Sequence, residues 1–148
     1  MFNSNIKATG RLNVVLKDES GAIKENREIN NLVVNTGLGY IASRMKDVAE
    51  DAMSHMAIGS GTSAAAAGDT ALGSQLARQA LTSTAVAGGV VTYAASYSAG
   101  TGTGAVTEAG ILNDATAGTM LCRTVFAVVN KGDNDTLAIT WTITLSAS

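Results

Sequence analysis

The stretch TLAITWTITLS, residues 136–146, decides the fold class of this chain. Large apolar residues alternate with threonine, alanine and serine along its whole length. One face of an extended strand would therefore hold Leu137, Ile139, Trp141, Ile143 and Leu145. A helix would instead bring together residues three and four positions apart, so a period of two predicts a strand. Because only one face is apolar, we expect an antiparallel sheet with one buried face.

Working outward from this strand, the turn at residues 131–135 and a strand at residues 119–129 complete a hairpin. Further short strands are predicted at residues 11–17, 22–28, 32–34, 55–58, 80–84, 90–97 and 105–112. Residues 69–78 have a weakly helical or irregular pattern. With about eight strands at this spacing, the sequence predicts a mainly β protein, an antiparallel two-sheet sandwich or jelly roll. It would form a single domain, residues 9–148, after an N-terminal arm, residues 1–8.

One short α-helix is predicted to lie over one end of the sandwich. Thr36 would cap it, and the helical spacing is carried by Leu38, Ile41, Ala42 and Met45. The pattern extends to about Ala52. Gly39 inside the segment and acidic residues near its C-terminal end are unfavourable in a helix, which favours an earlier end.

The composition indicates a surface that other proteins cover. Of the 148 residues, 46% are hydrophobic and only 15% are charged, against roughly 25% in an average domain. A free monomer usually carries more charge for solubility. The net charge is −2 and the basic residues are scattered, so we expect no nucleic-acid partner. The sequence has no apolar run of membrane-spanning length and no signal peptide at its start, so we expect synthesis in the cytoplasm and no membrane partner.

Catalysis and metal binding have few candidate residues. His55 is the only histidine and Cys122 is the only cysteine. Together they cannot supply a zinc site or an internal disulfide, and no Gly-x-Ser-x-Gly motif marks a nucleophile. We expect His55 at the start of a strand and Cys122 in the core, with Arg123 on the opposite face of the strand. The chain is therefore predicted to be non-enzymatic and to need no cofactor.

Two other patterns resemble ligand sites only formally. Residues 59–64, GSGTSA, match a relaxed dinucleotide fingerprint, but neither the helix nor the acidic residue that this site needs follows at the required distance. Two acidic groups could be interpreted as cation sites: Asp47, Glu50 and Asp51, and Asp133 with Asp135. Neither group has the spacing of a calcium loop. A loop, a solvated helix end and a hairpin tip are the interpretations we favour.

Candidate interface residues are few because the chain contains few aromatic residues. Trp141 lies on the apolar face of its strand and is expected in the core. Tyr93 and Tyr97 share one face of a predicted strand and could pack in the core or anchor an interface. Phe2, in the N-terminal arm, could reach a neighbouring subunit, although a disordered terminus is an equal alternative.

Several segments taken in order carry a family resemblance. They are NLVVNTGL at residues 31–38, MAIGSGT at 56–62, DTAL at 69–72, VTEAGIL at 106–112, TMLCRTVF at 119–126 and DTLAITWTI at 135–143. In this order they resemble a group of small structural proteins of tailed bacteriophages. Since no heptads or repeats follow the last strand, the chain looks most like a jelly-roll capsid cement, or decoration, protein. A cement protein of a short-tailed Bordetella phage is similar.

The resemblance implies a virion protein made in the host bacterial cytoplasm and located on the capsid exterior. Its expected partners are the major capsid protein, whose neighbouring subunits it would bridge and stabilise, and a second copy of itself in a homodimer. A tail-fibre or baseplate component is the first alternative. A carbohydrate-binding or hydrolytic β-sandwich is the second, and the lack of paired catalytic carboxylates argues against its hydrolytic form.

Overall fold

The computed structural model describes residues 5–46 and 50–147 and shows a mainly β fold with one short helix. This confirms the mainly β part of the predicted fold class. The elements follow in this order: β1 (Ile6–Lys17), β2 (Ile23–Val33), α1 (Asn35–Arg44), β3 (His55–Gly59), β4 (Gln75–Ala80), β5 (Ser83–Ala87), β6 (Val90–Tyr97), β7 (Gly104–Leu112), β8 (Met120–Lys131) and β9 (Thr136–Ala147). All pairs of adjacent strands are antiparallel.

The nine strands form one curled sheet in the order β4-β3-β7-β8-β2-β1-β9-β6-β5. The predicted division into two separate sheets, as a sandwich or jelly roll, is not confirmed. Its absence has a local cause in β2, which pairs with β1 between Ile23 and Asn31. Only its last two residues, Leu32 and Val33, pair with β8. Because one strand belongs to both halves of the ladder, the hydrogen bonding is continuous from edge to edge.

The core lies inside the curl. The apolar face predicted for the last strand is buried at Leu137, Ile139, Trp141 and Ile143. It meets apolar residues from β3, β7 and β8, which belong to the other half of the sheet: Met56, Ile58, Val106, Ile111, Cys122 and Val129. The hydroxyl of Tyr97 in β6 donates a hydrogen bond to the carbonyl of Met56 in β3, across the core. The two halves of the sheet are therefore held face to face.

The helix is shorter than the pattern predicts. It covers Asn35–Arg44, and its N-cap residue Val34 has no capping side chain. Thr36, the predicted cap, instead donates its hydroxyl hydrogen bond to the carbonyl of Met120 at 2.7 Å. Residues 50–52 are not helical, and residues 47–49 lie outside the described part of the chain. The predicted helix to Ala52 is therefore wrong, in line with the acidic residues at its expected end.

Two other boundaries differ from the sequence interpretation. Strand β1 begins at Ile6, which pairs with Ala147, so residues 6–8 of the expected N-terminal arm belong to the sheet. Residues 69–74 are irregular and continue into β4 at Gln75, so the helical alternative for this segment is wrong. The predicted strand at residues 80–84 is divided between the end of β4 and the start of β5.

Candidate interaction surface

The β5–β6 hairpin forms one edge of the sheet and contains no charged residue. Residues 79–107 contain no Asp, Glu, Lys, Arg or His, although they include both strands of the hairpin and its flanking loops. The strands are joined by a two-residue turn, Gly88–Gly89, and Gly88 has a φ of 59°. A left-handed first residue is what a type II′ hairpin turn requires, and glycine adopts it without strain. The turn therefore fixes the register of a neutral edge hairpin.

Strand β5 leaves its outer side unpaired within the described residues. It is last in the strand order, and its ladder runs only to β6. All five residues are exposed, with Val86 71% exposed. Edge strands in natural proteins are usually protected by charged side chains, proline or a covering loop. Strand β5 has neither proline nor charge, so its backbone is available for pairing with another strand.

The opposite edge of the sheet, β4, provides a contrast. Arg78 lies in the middle of β4 and donates hydrogen bonds to the carbonyls of Asp114 and Ala117 at 3.0 and 2.8 Å. Its guanidinium also contacts the side chain of Gln75. A charged, anchored side chain on an edge strand disfavours pairing with a second chain. The two edges therefore differ in charge, which controls whether an edge strand pairs with a second chain: β4 contains Arg78, and β5 contains no charged residue.

An apolar pocket of about 410 Å³ adjoins the neutral edge, between α1 and strands β5, β6 and β9. Thr84 and Val86 of β5 line one side, and Tyr40 and Met45 lie toward the helix. Met45 is 84% exposed at the rim. The remaining lining residues are Ile41, Arg44, Ala52, Met53, Val91, Tyr93, Leu121, Ile143 and Leu145. Exposed apolar groups beside an unpaired strand form a surface suited to a protein partner.

Two of the three predicted interface residues, Tyr93 and Tyr97, lie in the described part of the chain, both in β6. Tyr97 is fully buried, and burial raises the pKa of its hydroxyl. A residue with no exposed surface cannot anchor an interface, so core packing accounts for Tyr97. Tyr93 is also largely buried, which raises its pKa, but its side chain lines the pocket. Its role at an interface stays a prediction, and Phe2 lies outside the described residues.

The structure reveals a buried ionic cluster that the sequence analysis did not identify. Glu108 in β7 is 0% exposed and Arg123 in β8 is 3% exposed, and Glu108 Oε1 accepts from Arg123 Nε and Nη2 at 3.1 and 3.0 Å. Arg123 Nη1 also donates to Asp69 Oδ2 at 2.8 Å. This cluster joins the long excursion between β3 and β4 to the sheet. Glu108 is the only charged residue of β7, and Arg123 is the only one in β8 before its last residue, Lys131; an isolated charge within an apolar strand is the sequence signal for the cluster.

Backbone amides complete the binding of the Glu108 carboxylate. Glu108 Oε2 accepts from the N–H groups of Gly61 and Ser74 at 2.7 and 2.8 Å, and Oε1 accepts from Gly73 at 2.8 Å. Burial alone would raise the pKa of Glu108, but these bonds and Arg123 together hold it below the ordinary value. A Cβ on Gly61 would lie 2.4 Å from Glu108 Oε2. Within the GSGTSA segment, Gly61 thus binds a carboxylate of this chain.

No protein-family model, no curated protein and no solved structure matches this chain. The resemblance to phage structural proteins therefore stays a prediction. Within residues 5–46 and 50–147, the structure contains no helix that is both long and apolar enough to cross a membrane.

The remaining candidate residues are accounted for by contacts within the fold. His55 begins β3, is half-buried, and its Nδ1 lies 2.8 Å from the hydroxyl of Ser54. Cys122 is in the core, where burial raises the pKa of its thiol, as predicted for a packing residue. Asp135 accepts hydrogen bonds from Lys24 Nζ at 2.8 Å and from the N–H of Gly132 at 2.7 Å in the β8–β9 turn. Across the described part of the chain, no three His, Cys, Asp or Glu side chains are grouped to hold a metal ion.

Proposed function

We propose that this chain is a non-enzymatic structural protein of a bacteriophage virion. In this proposal it is a capsid cement protein, made in the host bacterial cytoplasm, that bridges major capsid protein subunits on the outside of the shell. The observation that supports it best is the charge-free hairpin whose edge strand β5 is exposed and unprotected. An edge of this kind is a liability in a free protein and is useful in an assembled one.

The interior of the molecule supports the same proposal. The cluster formed by Glu108, Arg123 and Asp69 fixes the excursion between β3 and β4 against the sheet, so these charges serve the fold. A pre-organised framework loses little conformational entropy on binding, which is an advantage for a protein that must sit on several subunits at once. Contacts that are individually weak become strong together when one particle engages several sites.

The finer architecture belongs to the same proposal. We treat the curled sheet as a variant of the jelly-roll sandwich, with β5, β6, β9 and β1 in one wall and β4, β3, β7 and β8 in the other. Strand β2 then joins the two walls. Such a body has two different edges, the neutral β5 and the charged β4, so one edge can associate while the other faces solvent.

A tail-fibre or baseplate role is the competing structural proposal, because an unpaired strand edge serves assembly equally well in a tail. Location and copy number separate the two. Cryo-electron microscopy of the virion that encodes this chain, with a stained gel of the same particles, is the test. Density over the shell exterior and several hundred copies would support the cement role. Density confined to the tail would contradict it, and absence from purified particles would contradict both structural roles.

A further inference from the structure

The unprotected edge of β5 has the symmetry of a dimer interface. We infer that two copies of this chain associate through β5, pairing the strand antiparallel with itself about a twofold axis at Ala85. This inference rests on the proposed function and deepens it, since it assigns a surface to the homodimer that the resemblance to cement proteins implies.

The hairpin register determines which backbone groups are free. In a two-residue hairpin the residues beside the turn, here Ala87 and Val90, form a hydrogen-bonded pair, and the two types of pair then alternate. Thr84 and Val86 therefore fall in non-hydrogen-bonded pairs with β6. Their N–H and C=O groups are directed to the outer edge, where the described residues supply no partner.

These free groups are complementary to themselves. With Ala85 on the axis, Thr84 of one copy lies opposite Val86 of the other, and each such pair can exchange two backbone hydrogen bonds. The edge thus forms four hydrogen bonds with no residue left out. Ala85 then meets its own symmetry mate as a non-hydrogen-bonded pair, for which the Cα atoms approach to about 4.5 Å. Alanine is small enough for this approach.

The side chains at the edge are suited to the same pairing. Thr84 and Val86 are β-branched, lie on one face and would contact each other across the axis, a favourable cross-strand pair. Val86, 71% exposed in the single chain, would be covered. Strand pairing alone buries less than the roughly 1,200 Å² of a stable interface, so the adjoining apolar rim at Met45 would contribute the remainder.

Charge favours a second copy over other occupants of the edge. Twofold pairing about Ala85 places Thr84 and Val86 diagonally across from their own counterparts, so a charge at either position would lie near a like charge. Residues 79–107 contain none. The other edge, β4, contains Arg78, whose anchored guanidinium disfavours the equivalent pairing. One closed contact per chain therefore gives a dimer and not a filament.

Cysteine cross-linking tests the inference together with its register. Ala85→Cys would place two thiols on the axis, within the Cα separation of about 4.4–6.8 Å that a disulfide needs. The native Cys122 is buried and would not compete. We expect the purified full chain with Ala85→Cys to form a disulfide-linked dimer on mild oxidation with diamide, seen on a non-reducing gel.

The matched controls use the same strand. Ser83→Cys alone should stay monomeric on the gel, because its own counterpart would lie four residues away, about 13 Å. The double variant Ser83→Cys and Ala87→Cys should cross-link, since these positions are opposite each other about the axis. Failure of Ala85→Cys to cross-link, or equal cross-linking by Ser83→Cys alone, would overturn the register and the inference with it.

A second measurement needs no new thiol. Analytical ultracentrifugation of the native chain should give the dimer mass, and Val86→Lys should shift it to the monomer mass by placing like charges at the edge. The control Val128→Lys changes an exposed valine of β8 and should remain dimeric. A monomeric native chain, or an edge that cross-links only to a shell protein, contradicts the inference. A β5-linked dimer that is absent from virions contradicts the proposed function alone.

Discussion

Replacing Glu108 with glutamine is expected to destabilise the fold strongly, although the two side chains have nearly the same shape. The Glu108 carboxylate accepts hydrogen bonds from three backbone N–H groups, those of Gly61, Gly73 and Ser74, and two from Arg123. The NH₂ of the glutamine amide is a donor, so the glutamine side chain can accept hydrogen bonds at only one of the two positions that the carboxylate oxygens occupy.

The magnitude follows from the distribution of those bonds. Oε2 accepts two of them and Oε1 accepts three, so either orientation of the glutamine amide leaves at least two buried donors without an acceptor. Each unsatisfied buried group costs about 1–3 kcal/mol. Removing one partner of a buried ion pair costs about 3–5 kcal/mol in other proteins, and we expect Glu108→Gln to fall in that range. This is a large part of the total stability of about 5–15 kcal/mol of a typical domain.

Urea unfolding followed by tryptophan fluorescence measures the effect, because Trp141 is the only tryptophan and is fully buried. The matched control is Glu28→Gln, which removes the same charge from an exposed pair with Arg11 at 2.7 Å. Exposed pairs contribute only about 0.2–1 kcal/mol. If the free energies of unfolding of the two variants differ by less than about 1 kcal/mol, the reasoning about the buried cluster is wrong.

The pKa values of Glu108 and Asp69 are lowered in the fold, so their contribution to stability is present above the ordinary pKa and is lost as the pH falls through the folded-state value. The free energy of unfolding should therefore decrease below about pH 4.5, and less steeply in Glu108→Gln. A stability that does not change with pH would contradict this. Gly37→Ala should destabilise the chain by about 1–3 kcal/mol or more in thermal or urea unfolding, because its Cβ would lie 2.0 Å from the carbonyl oxygen of Leu121. Gly39→Ala, in the same helix with open space around it, should instead stabilise by about 0.5–1 kcal/mol, and equal effects at the two positions would refute the described packing of α1. Cys122 should react with a thiol reagent such as dithionitrobenzoate only on unfolding, since it is fully buried and its pKa is raised; rapid reaction of the native chain would show that the core is open.

The sequence predicts most of the sheet because each strand has its own alternation of apolar and polar residues. The alternation from Leu137 to Ile143 depends only on which face of one strand is buried, and the structure buries that face. The extent of α1 was less predictable, since it depends on partners far along the chain. Thr36 bonds to Met120 and Gly37 packs against Leu121, and neither contact is visible in a local window.

The two most informative features were the hardest to predict for the same reason. The cluster at Glu108 joins residues from the segment after β3, from β7 and from β8, and only the fold brings them within hydrogen-bonding distance. Strand β2 belongs to both halves of the sheet because it pairs with β8, a strand far later in the chain. The unpaired edge of β5 was likewise not predictable, because the sequence of a single strand does not determine the order of strands in the sheet.

The pairing of β1 with β9 has a consequence for how the protein is made. These neighbours in the middle of the sheet come from opposite ends of the described chain, with Leu12 beside Trp141 and Ile6 beside Ala147. During translation β1 leaves the ribosome early and has to wait for β9, with its apolar face exposed to other nascent chains. Such distant pairings slow folding and favour aggregation. High-level synthesis should therefore depend on chaperones or low temperature until the final strand is released.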